Sequence, residues 1–162
     1  MVNFSYKEGP FLGGEEDLYE KIEERKMQSI TKNYRKWMKR KAAINNFAEH
    51  RQINEGDVVW TAVGENVGVE IDGKSDRYSR PVVVLRKHTA QCFTGVPLTS
   101  QPHSGSWYAN FEFQGRKEYA ALIQTRLFDT SRVYSRIGEL SKKDYECILD
   151  SYVRLITKKN VP

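Results

Sequence analysis

The chain has 162 residues, of which 39% are hydrophobic and 29% charged, and a formal net charge of +5. That length supports one domain with a modest core plus an appendage. No stretch approaches 18 apolar residues and the start carries no signal-like apolar run, which argues against a helical membrane protein and a secreted one. Cys92 and Cys147 lie far apart and, with the three histidines, show no ligand spacing. Neither a disulfide framework nor a structural zinc site is expected, and the reading is of a soluble, cytoplasmic protein. The positive charge favours a polyanion partner, but fits equally well a basic protein with no nucleic-acid role.

Residues 1–14 carry Pro and Gly with little apolar periodicity and read as a flexible leader. Residues 15–52 read as an N-terminal helical extension. Glu15, Glu16 and Asp17 open it, where a helix start favours negative charge. Its middle is basic, and Ile22, Ile30, Tyr34, Trp37, Met38 and Ile44 recur at three- and four-residue steps. One long helix or two shorter ones are expected. Trp37 and Ile30 need burial, so the apolar stripe is expected to pack on the domain C-terminal to it, the alternatives being a partner or a dimer contact, with the charged face solvated or touching nucleic acid.

Residues 53–158 read as a small antiparallel β domain. Asp57–Val63, Pro81–Lys87, Gln91–Leu98, Trp107–Gln114 and Glu118–Gln124 are rich in Val, Tyr, Phe and Trp, with a weaker run at Arg132–Ile137. Glycines punctuate them. The end is helical: Ser141 and Asp144 match a capping box, and Tyr145, Ile148, Leu149, Tyr152, Leu155 and Ile156 form a face that should close one side of the sheet.

The chemistry gathers at Arg80-Pro81-Val82-Val83-Val84-Leu85 and Val96-Pro97-Leu98-Thr99-Ser100. A hairpin turning near Thr89 and Ala90 sets Val82 opposite Pro97, Arg80 opposite Thr99 and His88 opposite Gln91. Opposed residues share one side of the sheet, with β-carbons roughly 4.5–5.5 Å apart. The prolines stiffen the presentation of their neighbours. An arginine fork beside a hydroxyl suits a phosphate and the charge that builds on it. An arginine on a sheet rim and a threonine in a turn is the structural alternative.

These segments resemble the MazF/PemK toxins. Gly56-Asp57-Val58-Val59-Trp60, Gly68-Val69-Glu70, the Arg80–Leu85 and Val96–Ser100 blocks, Gln124-Thr125-Arg126-Leu127-Phe128-Asp129 and Ile137-Gly138-Glu139-Leu140-Ser141 follow the order and spacing of that family over about residues 56–156. The resemblance implies an α+β protein: a small SH3-like antiparallel β-barrel with a C-terminal helix, here preceded by the helical extension. It also implies a homodimeric endoribonuclease that cuts single-stranded RNA (mRNA), needs no metal or other cofactor, and is neutralised by a cognate antitoxin. The family's catalytic Arg and Thr fall on Arg80 and Thr99. Glu70 matches a family glutamate near the RNA and is the first candidate base, ahead of His88 and His103. An Arg-x-Asp pair found in some members is absent, because Ala121-Leu122-Ile123 stands in its place.

Lys74, Arg77 and Tyr78, in the long Gly64–Ser79 loop, are expected to grip RNA backbone and base. Ser100, Gln101, Gln124 and Arg126 are expected RNA contacts by the same resemblance. In that family the loop flanks the active site and is displaced when antitoxin binds. Trp107, Tyr108, Phe111 and Phe113 are further stacking candidates, with Tyr108 and the alternate aromatics expected in the core. The competing functional readings are a non-catalytic module of the same fold that binds RNA or poisons a protein such as a gyrase, and an inert interaction domain of a mobile element. Retention of Arg80 and Thr99 favours catalysis.

Overall fold

The computed structural model describes residues 32–157. The expected leader and residues 15–31 of the expected helical extension, with Ile22 and Ile30, lie outside that range. The described chain opens with helix α1 (Tyr34–Phe47), capped by Asn33, whose side chain accepts from the Lys36 amide at 3.0 Å. Trp37 and Ile44 are buried, while Tyr34 and Met38 on the same expected stripe are largely exposed. The stripe is therefore narrower than its sequence periodicity, and α1 seats on the domain through few side chains.

Seven antiparallel strands come next: β1 (Asp57–Ala62), β2 (Ser79–Lys87), β3 (Cys92–Thr99), β4 (Tyr108–Phe113), β5 (Arg116–Ala121), β6 (Arg126–Asp129) and β7 (Val133–Glu139). Helix α2 (Lys142–Thr157) ends the described chain. The order across the sheet is β4-β5-β3-β2-β1-β7, with β6 also on β3. Strand β6 was not expected from the sequence. Residues expected at the end of the fifth strand, Leu122–Gln124, form a short 3-10 turn instead. The edge strands β4 and β7 meet through side chains rather than a ladder: Gln114 Nε2 donates to the Ile137 carbonyl at 3.3 Å, and Phe113 packs on Gly138. The sheet is thus barrel-like without closing by backbone hydrogen bonds.

The central strands are buried on both faces, which explains their near-continuous apolar runs. One core gathers Val58, Val83, Leu85, Val96, Leu98 and Phe111 beneath Ile148 of α2. A second gathers Val59, Val82, Val84, Phe93, Phe128 and Val133 on the opposite face. Phe111 and Ala109 face the first core, whereas Tyr108 is half-buried, so the interior face of β4 is the odd-numbered one. Gly95 is required where β3 crosses the second core, since a β-carbon there would lie 2.5 Å from Val82 Cγ1. The Ser141 hydroxyl caps α2, accepting from the Asp144 amide at 3.1 Å. Asp57, 1% exposed, is held by Arg136 Nε at 2.6 Å and by the Asn54 amide at 2.8 Å.

Candidate active site

The expected hairpin register holds where it matters for the site and fails at the turn. Val82 pairs with Pro97, Val83 with Val96 and Val84 with Gly95. A bulge then shifts the register, so Arg86 meets Thr94, and the His88 amide donates to Cys92 rather than facing Gln91. Toward the other end the β2–β3 ladder stops at Val82 and Pro97. Pro81 and Pro97 have no N–H to continue it. Beyond them Arg80 pairs with Thr61 of β1, and Thr99 pairs with Tyr119 of β5. The two strands part, and Arg80 and Thr99 are not ladder partners as the simple hairpin had them. By strand alternation both still share the face of Val82 and Pro97.

A cleft of about 720 Å³ opens at this split, and Arg80, Pro81, Leu98, Thr99 and Ser100 line it. Lys74, Arg77 and Arg116 add positive charge to its wall, against one carboxylate, Glu118, among the described residues. Trp60, Phe113 and Tyr134 supply aromatic surface. Arg80 is half-buried, and its Nε donates to the Asp72 carbonyl of the Gly64–Ser79 loop. Burial draws its pKa down, opposed by the nearby Asp72 carboxylate, and an arginine stays cationic at neutral pH despite this. Among the described residues that is its one hydrogen bond, so both terminal nitrogens remain for a ligand. Thr99 is 8% exposed, and its Oγ1 accepts from the Gln101 amide at 3.2 Å, which leaves the hydroxyl proton to donate.

The other expected site residues are distributed differently. Glu70 is exposed, accepts from the Val67 amide at 2.9 Å, and does not line the cleft. Gln124 and Arg126 act on the loop behind the cleft. Gln124 accepts from the Ile71 amide and donates to the Val69 carbonyl. Arg126 donates to the Val63 carbonyl at 2.6 Å and lies over the Phe128 ring. Its pKa is lowered by burial and by neighbouring Arg132, with Glu70 opposing. Tyr78 is 5% exposed and packs on Trp37, away from the cleft wall. Gln101 is exposed beside Thr99.

His88 bonds Thr94 at 2.7 Å on the far hairpin. His103 stacks on Tyr108 with ring centroids 4.0 Å apart, and meets Tyr119 edge-on. Trp107 is exposed. Glu118 and Trp60 are cleft residues that residue type alone did not single out; only the strand register, which aligns them with the split, could have found them. No three His, Cys, Asp or Glu side chains among the described residues come together as metal ligands would. No helix among them is long and apolar enough to cross a membrane.

An antiparallel sheet with a cationic cleft at a split central hairpin defines a small barrel-like β protein. The sequence makes the family explicit. Residues 54–155 match the PemK-like, MazF-like toxins of type II toxin–antitoxin systems, and the chain belongs to that family. No curated protein shows significant similarity to it. Among solved structures, MazF from Deinococcus radiodurans is similar with a TM-score of 0.55 at 17% identity, over 66% of this chain and 98% of that one. A mycobacterial endoribonuclease in complex with its cognate antitoxin is similar with a TM-score of 0.52 at 11% identity, over 68% and 100%. The MazE–MazF complex of Deinococcus radiodurans gives 0.50 at 15% identity, over 65% and 96%. At these identities the likeness is one of fold.

Proposed function

We propose that this protein is a toxin endoribonuclease that cleaves single-stranded RNA by attack of a ribose 2′-hydroxyl on the adjacent phosphorus. The 2′-oxygen bonds to phosphorus, the bond to the 5′-oxygen breaks, and the ends are a 2′,3′-cyclic phosphate and a 5′-hydroxyl. The observation that supports this reading is that Arg80 and Thr99 both line one basic cleft. The two free terminal nitrogens of Arg80 span the non-bridging oxygens and neutralise the charge that grows on them. The Thr99 hydroxyl donates to the same phosphate and fixes its position. The cation is thus supplied by the protein, and the step runs without a metal.

A base must take the 2′-proton, and an acid must protonate the departing 5′-oxygen. Two carboxylates compete for the base: Glu70, favoured by family resemblance, and Glu118, favoured by its place in the cleft. The one whose exchange for glutamine removes the acidic limb of the pH–rate profile holds the role. Lys74, Arg77 and Ser100 line the same groove and serve to track the RNA backbone, while Trp60 and Tyr134 offer ring faces for bases. Family membership and the antitoxin-bound relatives support a cognate antitoxin as the second partner, and a homodimer as the working unit in the cytoplasm.

The test is to incubate the pure full-length protein with a long single-stranded RNA in excess EDTA. Fragments that disappear with Arg80→Ala, in a variant that melts like the wild type, support the proposal. Intact RNA that is nonetheless bound overturns it in favour of a non-catalytic module.

A further inference from the structure

Helix α1 precedes the family-matched region, which begins at residue 54, yet it reaches the loop that holds Arg80. Trp37, 6% exposed, packs its indole against Gly64 at the start of that loop. A β-carbon at Gly64 would stand 2.5 Å from the indole Cζ2, and Gly64 has φ +99°, so glycine is required on both counts. The indole also tilts onto the Tyr78 ring at the end of the loop, with centroids 5.4 Å apart. The Tyr78 carbonyl in turn accepts from the amides of Val63 and Gly64. Trp37 therefore pins both ends of the loop where they cross.

From there two hydrogen bonds reach the guanidinium. The Gly64 carbonyl accepts from the Gly73 amide at 2.7 Å. That N–H belongs to the Asp72–Gly73 peptide group, and the carbonyl of the same group accepts from Arg80 Nε. A planar trans peptide points its N–H and C=O in opposite directions, so fixing one end at Gly64 aims the other at Arg80. We infer that Trp37 is a positioning residue for Arg80, acting through Gly64 and the Asp72–Gly73 peptide to hold the guanidinium in its phosphate-binding orientation. The exposed Lys36–Asp76 ion pair, at 2.5 Å, and the Tyr34 hydroxyl on the Asn66 carbonyl touch the same loop from α1. They lie at the surface, where such contacts contribute little.

The inference rests on Arg80 being the phosphate ligand, and its test separates the two. In the full-length ¹⁵N-labelled protein, the Arg80 Nε–H resonance is assigned by its loss in Arg80→Lys, and its exchange with solvent is measured without RNA. Trp37→Ala should speed that exchange about ten-fold or more and lower kcat by a similar factor, with KM within about three-fold, as expected when a catalytic group is misplaced. Met38→Ala, one position along the helix and exposed, should change neither. Trp37→Phe keeps a ring over Gly64 and should give intermediate exchange, which preserves the test if the alanine variant unfolds. Wild-type exchange in the tryptophan variants overturns the inference, as does faster exchange with unchanged kcat. Should the wild type cleave no RNA at all, the proposed function fails while the exchange data still decide whether Trp37 holds Arg80.

Discussion

Replacing Arg80 by lysine keeps the charge and removes the fork. In the wild type Nε is engaged by the Asp72 carbonyl, and the side chain lines the cleft, where the terminal nitrogens are proposed to take the phosphate. A lysine has one ammonium on a flexible stem and cannot serve that carbonyl and two phosphate oxygens together. Loss of one preorganised donor to developing charge costs about 2.7–4 kcal/mol, or roughly 10²–10³ in rate. Folding stability should move less. The lost contact is a single charge-assisted hydrogen bond from a half-buried side chain, worth about 1.5 kcal/mol net. Single-turnover cleavage of end-labelled RNA at saturating protein, beside a thermal melt, separates the two effects. A rate within about three-fold of wild type would show that charge alone suffices and would refute the argument from the fork.

Thr99→Ala should lower the cleavage rate by roughly ten- to a hundred-fold in the same assay, and Thr99→Ser, which keeps the hydroxyl and its bond to the Gln101 amide, should restore most of it. Gly95→Ala drives a methyl to 2.5 Å from Val82 Cγ1 and 2.8 Å from the Phe93 ring. Overpacking of this kind should cost about 2–3 kcal/mol, read as a lower urea midpoint. The Tyr145 hydroxyl donates to the Leu85 carbonyl at 2.7 Å, and burial, helped by nearby Glu55 and opposed by Arg86, raises its pKa. A raised folded-state pKa means that its contribution is present in full below about pH 10, the unfolded value, and fades as pH climbs through the folded one. Tyr145→Phe should remove about 0.5–1.5 kcal/mol at neutral pH and flatten part of the alkaline loss in urea melts taken from pH 8 to 11.

Much of the fold was legible because β-branched and aromatic runs bounded by glycines mark strands whatever their neighbours. The Val82–Pro97 register came from a single hairpin, and it broke at the bulge near Leu85, which leaves no local signature. Strand β6 escaped notice because it is four residues long and places a half-buried arginine and an exposed leucine, so its sequence shows no polar–apolar alternation although its burial alternates. The candidate pair Arg80 and Thr99 stood out through the neighbouring prolines, but the parting of β2 from β3 did not, because it depends on β1 and β5 taking over their pairing. Gln124 and Arg126 show a similar gap. Their residue types suit RNA, yet their polar atoms bind loop backbone that lies more than 50 positions away in sequence. Trp37 was expected to need burial, and it is buried. What it covers was decided by a glycine in another segment.

The chemistry of the cut ends tests the central claim most directly. Mass spectrometry of the fragments made by the wild-type protein in EDTA should show a 2′,3′-cyclic phosphate on the upstream piece and a free 5′-hydroxyl downstream. Fragments bearing a 5′-phosphate and a 3′-hydroxyl would mean that water, not the ribose, attacked the phosphorus, and the roles given to Arg80 and Thr99 would be contradicted.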